Sequence, residues 1–190
     1  METKSSSFKK DLTFSERKEF KVAFDYFYKS KEFLELLKMM RKRGIVEPAG
    51  EWKRKDDPKF IELAQDIMGI DVIMPLSCGG NLQIDEKVSR HTAWANHQLE
   101  YPVEVVCNPN KGGKHDGWGY HDGIVIIHAR SNPAEDGFVG TPLVYRISEK
   151  FINEVIRNKK YKVRINAATD GLYQSGFIYV PTIVLRGYWP

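Results

Sequence analysis

The chain of 190 residues carries 29 Lys and Arg against 25 Asp and Glu, a formal charge of +4, with 42% apolar, 12% aromatic and 28% charged residues. Those proportions fit one globular domain and exclude disordered, collagen-like and coiled-coil chains. No stretch approaches the roughly 18 apolar residues of a membrane helix, and residues 1–10 are polar and basic with no hydrophobic stretch behind them. The two cysteines, Cys78 and Cys107, fit neither a disulfide framework nor a metal knuckle, and Cys107 reads as core. The expectation is a cytoplasmic protein with no membrane partner.

In chain order, Thr13-Phe14-Ser15-Glu16 has the form of a capping box, in which Thr13 and Glu16 satisfy each other's backbone N–H groups. Phe20, Ala23, Phe24 and Phe27 then recur at three and four residues, Leu34 and Leu37 extend the stripe, and Gly44 follows Arg43 where a helix stop belongs. This predicts one long helix, or two broken near Ser30. A second helix is expected from Asp57 as N-cap and Pro58 at the first position, with Phe60, Leu63, Ala64 and Ile67 on one face and Gly69 closing it. Segment 70–75 is short and apolar apart from Asp71, 82–88 alternates, and Ser77-Cys78-Gly79-Gly80-Asn81 between them reads as a hairpin turn. Further strands are expected at 103–107 and 123–129. Ile147, Phe151, Ile152, Val155 and Ile156 form a helical stripe, after which 161–166 and 177–185 close the chain as strands, the last weakened by Pro181. The order predicts an α/β fold, a mixed central sheet with helices packed on it. One domain spans 1–190, with a helical extension over 1–48, a core over 57–166 and C-terminal strands over 167–190.

The chemistry follows from the hairpin. If its turn centres on Cys78, Asp71 lies opposite Asp85, and alternation puts Lys87 on the face of Asp85 while Ile84, Glu86 and Val88 take the other. Facing carboxylates repel unless something positive sits between them, and Asp71 is set among Ile70, Val72, Ile73 and Met74, where an ionised group is costly unless paired or coordinated. A divalent cation answers both demands. Two carboxylates with a main-chain carbonyl and waters make the oxygen environment of Mg²⁺, which can polarise a phosphoryl oxygen and activate a water, with Lys87 orienting that water or neutralising developing charge. The competing reading is an Asp85–Lys87 pair on a solvated sheet edge, with Asp71 capping a turn.

Gly69-Ile70-Asp71, followed 14 positions after Asp71 by Asp85-Glu86-Lys87, resembles the PD-(D/E)XK nuclease-like superfamily over about residues 57–166. The proline that names that pattern is absent before Asp71. The resemblance implies an αβββαβ-like core and Mg²⁺- or Mn²⁺-dependent cleavage of DNA. It matches Asp71 to the isolated acid, Asp85 to the second acid, Lys87 to the lysine and Glu86 to the variable middle position. It further implies that Glu104, on the neighbouring strand, is a third acid or a supporting group, against an exposed strand position. An acid from the first core helix is often added, but Glu62 and Asp66 centre opposite that helix's apolar face and read as solvated surface.

Sixteen of the 29 basic residues and 11 of the 25 acidic ones lie in 1–60, so the whole positive excess is there. Arg41, Lys42, Arg43, Lys53, Arg54 and Lys55 are candidates for phosphate contact, against a solvated surface. The stretch 111–123 repeats His-Asp-Gly at His115 and His121. It reads first as a Gly-rich hairpin tip, then as a DNA-contacting loop using Lys111, Lys114 and Trp118, and last as a metal or general-base site. His97 and Gln98 are ordinary surface or polar site residues. The function expected is a DNA endonuclease, for which cutting both strands with one site per chain would suggest a homodimer. The alternatives are an inactive nuclease-like module that binds DNA or protein, and a phage-type assembly protein.

Overall fold

The computed structural model describes residues 14, 17–40, 51–54, 57, 70–77, 79–94, 99–107, 115–120, 122–167 and 174–188. The capping box at Thr13 and Glu16 and the helix expected after Pro58, with Glu62 and Asp66, lie outside them. The N-terminal stripe forms two helices, α1 (Lys18–Tyr28) and α2 (Lys31–Met40). They break where expected, because the Ser30 hydroxyl accepts from the Phe33 N–H at 3.2 Å and caps the second helix. Phe20, Phe24, Phe27 and Tyr28 of α1, with Phe33 and Leu37 of α2, are buried.

Among the described residues nine strands form two sheets. The first runs β1 (Lys53–Arg54), β2 (Val72–Pro75), β3 (Asn81–Ser89), β6 (Val125–Arg130), β7 (Leu143–Arg146). Only the β3–β6 pairing is parallel; the other three are antiparallel. The second is antiparallel, in the order β5 (His115–Asp116), β4 (Glu100–Cys107), β9 (Gln174–Pro181), β8 (Arg164–Ala167). The fold is therefore α/β, as expected, but the strand of Glu104 leaves the central sheet and pairs with β9 instead. The stripe after Ile147 is α3, Glu149–Phe151 continuing as the π-helical Ile152–Arg157. The strand expected over 177–185 stops at Pro181, where the chain turns into α4 (Thr182–Gly187). Among the described residues no helix is long and apolar enough to cross a membrane.

The first sheet separates two cores. On one face Val72, Met74, Ile84, Val125 and Ile127 pack against α1 and α2. On the other, Ile124, Ile126 and Tyr145 meet Tyr101 and Val103 of β4, Ile178 and Val180 of β9, and the apolar side of α3. Strand β6 is buried on both faces, as a central strand with a parallel neighbour should be.

The Gly-rich stretch closes over β4. After β5 the backbone makes a 3-10 turn at Trp118–Tyr120, and a side-chain carbon on Gly117 would overlap the Glu104 carbonyl. One on Gly119 would lie 2.6 Å from Val103 Cγ1 and 2.7 Å from the Glu104 oxygen. Asp122-Gly123 supplies the turn, with Gly123 at φ 83. Because the neighbour at Gly117 is backbone and has nowhere to move, Gly117→Ala is expected to lose about 1–3 kcal/mol of stability in urea unfolding. Gly187→Ala, which faces open space, should lose none.

Candidate functional site

The β2–β3 ladder pairs Val72 with Ile84, Ile73 with Gln83 and Met74 with Leu82, so the hairpin is centred on position 78 as its sequence implied. Just before the ladder the backbone slips by one: the Asp71 N–H donates to the Ile84 carbonyl at 2.8 Å, and the Asp71 carboxylate accepts from the Glu86 N–H at 2.9 Å. That clasp turns the Asp71 carboxyl toward Asp85, within hydrogen-bonding reach if the two share a proton.

Asp85 is 0% exposed, and neither of its oxygens has a donor aligned for a hydrogen bond. The Lys87 ammonium lies 2.8 Å from Asp85 Oδ1 and compensates by charge, with 40% of the Lys87 side chain still exposed. Burial raises the Asp85 pKa well above the usual carboxylate range; Lys87 opposes this, and the charge and proximity of Asp71 reinforce it. For Lys87, burial works against the charge, but Asp85, Asp71 and, more weakly, Glu104 outweigh it and raise the pKa. Asp71, Asp85, Lys87 and Glu104 thus belong to one electrostatic cluster, with Glu104 reaching it from the second sheet.

Sequence reasoning missed the aromatic and polar wall beside this cluster. The β3–β6 register sets Lys87 against His128 and Ser89 against Arg130. Ser89 Oγ and His128 Nε2 are 2.6 Å apart, and the buried His128 ring contacts Trp94 at 4.9 Å and Tyr101 at 5.1 Å. Burial first, then the charge of Asp85, raises the Tyr101 pKa. No local motif marks these residues, since the parallel pairing that assembles them crosses from β3 to β6.

Behind the site, the middle position of the Asp-x-Lys triplet is structural. Glu86 accepts from the Tyr28 hydroxyl and from Arg54, each at 2.5 Å; Arg54 also pairs with Asp25, which accepts from Trp52 Nε1 at 2.9 Å. Arg54, expected to meet phosphate, instead has a side chain only 14% exposed and pairs with Glu86 and Asp25. Lys53 is half-buried on β1. Arg41, Lys42, Arg43, Lys55, Lys111, Lys114, His97, Gln98 and His121, and the side chains of Trp118 and His115, lie outside the described residues.

The donors present fit a small divalent cation. Asp85 offers two buried oxygens, one of them 2.8 Å from the Lys87 ammonium, Asp71 stands beside it, and both are hard oxygen ligands. Among the described residues no three His, Cys, Asp or Glu side chains form a metal-holding group, so water, backbone and phosphate oxygens would complete the shell. Comparison with protein-family models, with curated proteins and with solved structures finds no match.

Two outcomes follow for the metal-free protein. The unfolded Asp85 carboxyl releases its proton near pH 4, whereas the folded one holds it to higher pH, so the folded state binds more protons in that window and stability falls as pH rises through it. With EDTA present, Asp85→Asn is expected to be about 0.5–2 kcal/mol more stable than wild type at pH 8, the gain fading below pH 4, by thermal unfolding. Arg54→Met strands Glu86 in a site where its side chain is 9% exposed. It should lose about 3–5 kcal/mol at pH 7, most of it restored by adding Glu86→Gln.

Proposed function

We propose that the chain is a metal-dependent nuclease that hydrolyses phosphodiester bonds of DNA. The observation that carries this reading is the convergence of Asp71, Asp85 and Lys87 at the mouth of one hairpin. Support also comes from the sheet, whose strands lie in chain order with Asp71 just before β2 and Asp85 on the adjacent β3. Asp71 and Asp85 are the residues that would hold Mg²⁺ or Mn²⁺. When bound, the ion supplies polarisation of a phosphoryl oxygen and a water acidified for attack.

The chain's own residues divide the remaining work. Lys87 is held protonated by three carboxylates, so at neutral pH it is not a general base; it donates hydrogen bonds and positive charge to an oxygen of the phosphate as negative charge develops there. Asp85, anchored in β3 and buried, fixes the ammonium at 2.8 Å and limits its wandering. The Glu86 N–H orients Asp71 through the hydrogen bond at 2.9 Å. Glu104 adds negative charge from β4 and favours the charged form of Lys87.

The second reading is an inactive nuclease-like module. The specific observation in its favour is the closed Asp85–Lys87 pair, in which the ammonium compensates the carboxylate's charge without a metal ion.

Plasmid, linear and branched DNA and RNA incubated with Mg²⁺ or Mn²⁺, against EDTA controls, decide between the two. The nuclease cuts DNA only with metal, Asp71→Ala and Asp85→Ala abolish cutting, and Lys87→Ala slows it by about 10²–10³ while Lys87→Arg is slowed less. Wild type that cuts nothing, or variants that cut like wild type, defeat the nuclease reading; metal-independent gel shifts without cleavage favour the module.

A further inference from the structure

We infer that Arg130, set by His91, is a binding subsite for a backbone phosphate of the nucleic acid, one step along the sheet from Asp85 and Lys87; the choice of DNA as ligand rests on the nuclease reading. Asp85, Lys87 and Ser89 share one face of β3, and in the parallel ladder Lys87 stands against His128 and Ser89 against Arg130. His128 and Arg130 therefore continue the same polar row on β6. At strand rise Arg130 sits about 6.6 Å beyond His128, toward the carboxyl ends of two parallel strands, the edge where open α/β sheets place ligands.

The partners of Arg130 leave it short of acceptors. Its terminal nitrogen lies 3.0 Å from His91 Nε2. Guanidinium has donors only, so His91 Nε2 accepts and the imidazole proton sits on Nδ1. Arg130 Nε and His91 Nδ1 are both buried without a hydrogen-bond partner, which makes the pair rich in donors. The neighbouring arginines differ: Arg17 and Arg90 both reach Glu135, and Arg54 reaches Glu86 and Asp25. No carboxylate among the described residues pairs with Arg130.

The support beneath the pair is fixed. The His91 N–H donates to Ser131 Oγ at 3.1 Å, the Ser131 N–H donates to the Ser89 carbonyl at 2.9 Å, and Ser131 is 0% exposed. A half-buried, pre-oriented planar cation without a carboxylate calls for an anion with several acceptor oxygens, and a phosphodiester provides one at the spacing of the row.

The test is fluorescence anisotropy with a labelled DNA oligonucleotide, single-stranded and duplex, in EDTA so that no cleavage intervenes, as a function of salt. Arg130→Gln, which keeps a donor for His91, should bind about tenfold more weakly and lower the salt slope by about one; Arg130→Lys should restore the slope and part of the affinity. Arg164→Gln, removing an arginine that stacks on Tyr179 in the second sheet, should change neither. Binding by Arg130→Gln equal to wild type with the same slope, or no DNA binding by wild type, overturns the subsite. Arg130-dependent binding without cleavage in Mg²⁺ or Mn²⁺ defeats the nuclease reading and leaves the subsite standing.

Discussion

Two carboxyl groups pressed together at the end of a hairpin resist folding unless a positive charge or a shared proton lies between them, and the β2–β3 hairpin of this chain ends in that arrangement. Asp85 is sealed from solvent and Asp71 is turned onto it by the Glu86 N–H, so the ammonium of Lys87 is the charge that makes the pair tolerable. A one-residue slip of the hairpin would send Asp85 and Lys87 to the helix side and bring Glu86 inward. The register is thus a chemical constraint as well as a packing one.

Alternation along β3 gives its two faces opposite tasks. The inward row, Asp85, Lys87 and Ser89, carries the ionisable groups. The outward row, Ile84, Glu86 and Val88, belongs to the helix side, where Ile84 is core and Glu86 is bound by Tyr28 of α1 and Arg54 of β1. Burial raises the Glu86 pKa, and only the opposing pull of Arg54 and Tyr28 keeps that rise in check. The polar tie therefore fixes α1 to the sheet on the face of β3 opposite Asp85 and Lys87.

Local signals carried the hairpin, because equal distances from Cys78 and an apolar strand interrupted by one acid are readable without any partner. They carried the helix break at Ser30 and the stripe from Ile147 for the same reason. Long-range pairing was not readable. Strand β4 pairs with β9, far along the chain, with a register shift between Glu104 and Val106, and nothing near Glu104 announces that it leaves the central sheet. Arg54 looked like part of a basic surface cluster because Lys53 and Lys55 flank it; its acids, Asp25 and Glu86, come from distant segments. Pro181 was read as a weak point in a strand, whereas its fixed φ ends the strand and opens α4.

The parallel pairing of β3 with β6 explains why the site has a wall at all. Parallel neighbours need a crossover, and the described residues of this one include β4, β5 and 3-10 turns at His91–Ala93 and Trp118–Tyr120. Trp94 and Tyr101 from that crossover close on His128, and Glu104 comes near enough to act on Lys87. Gly117 and Gly119 let the returning chain lie directly on the Glu104 backbone, holding that strand down where a larger residue would lift it. The connection required by topology therefore also brings Tyr101 within the field of Asp85 and Glu104 within that of Lys87.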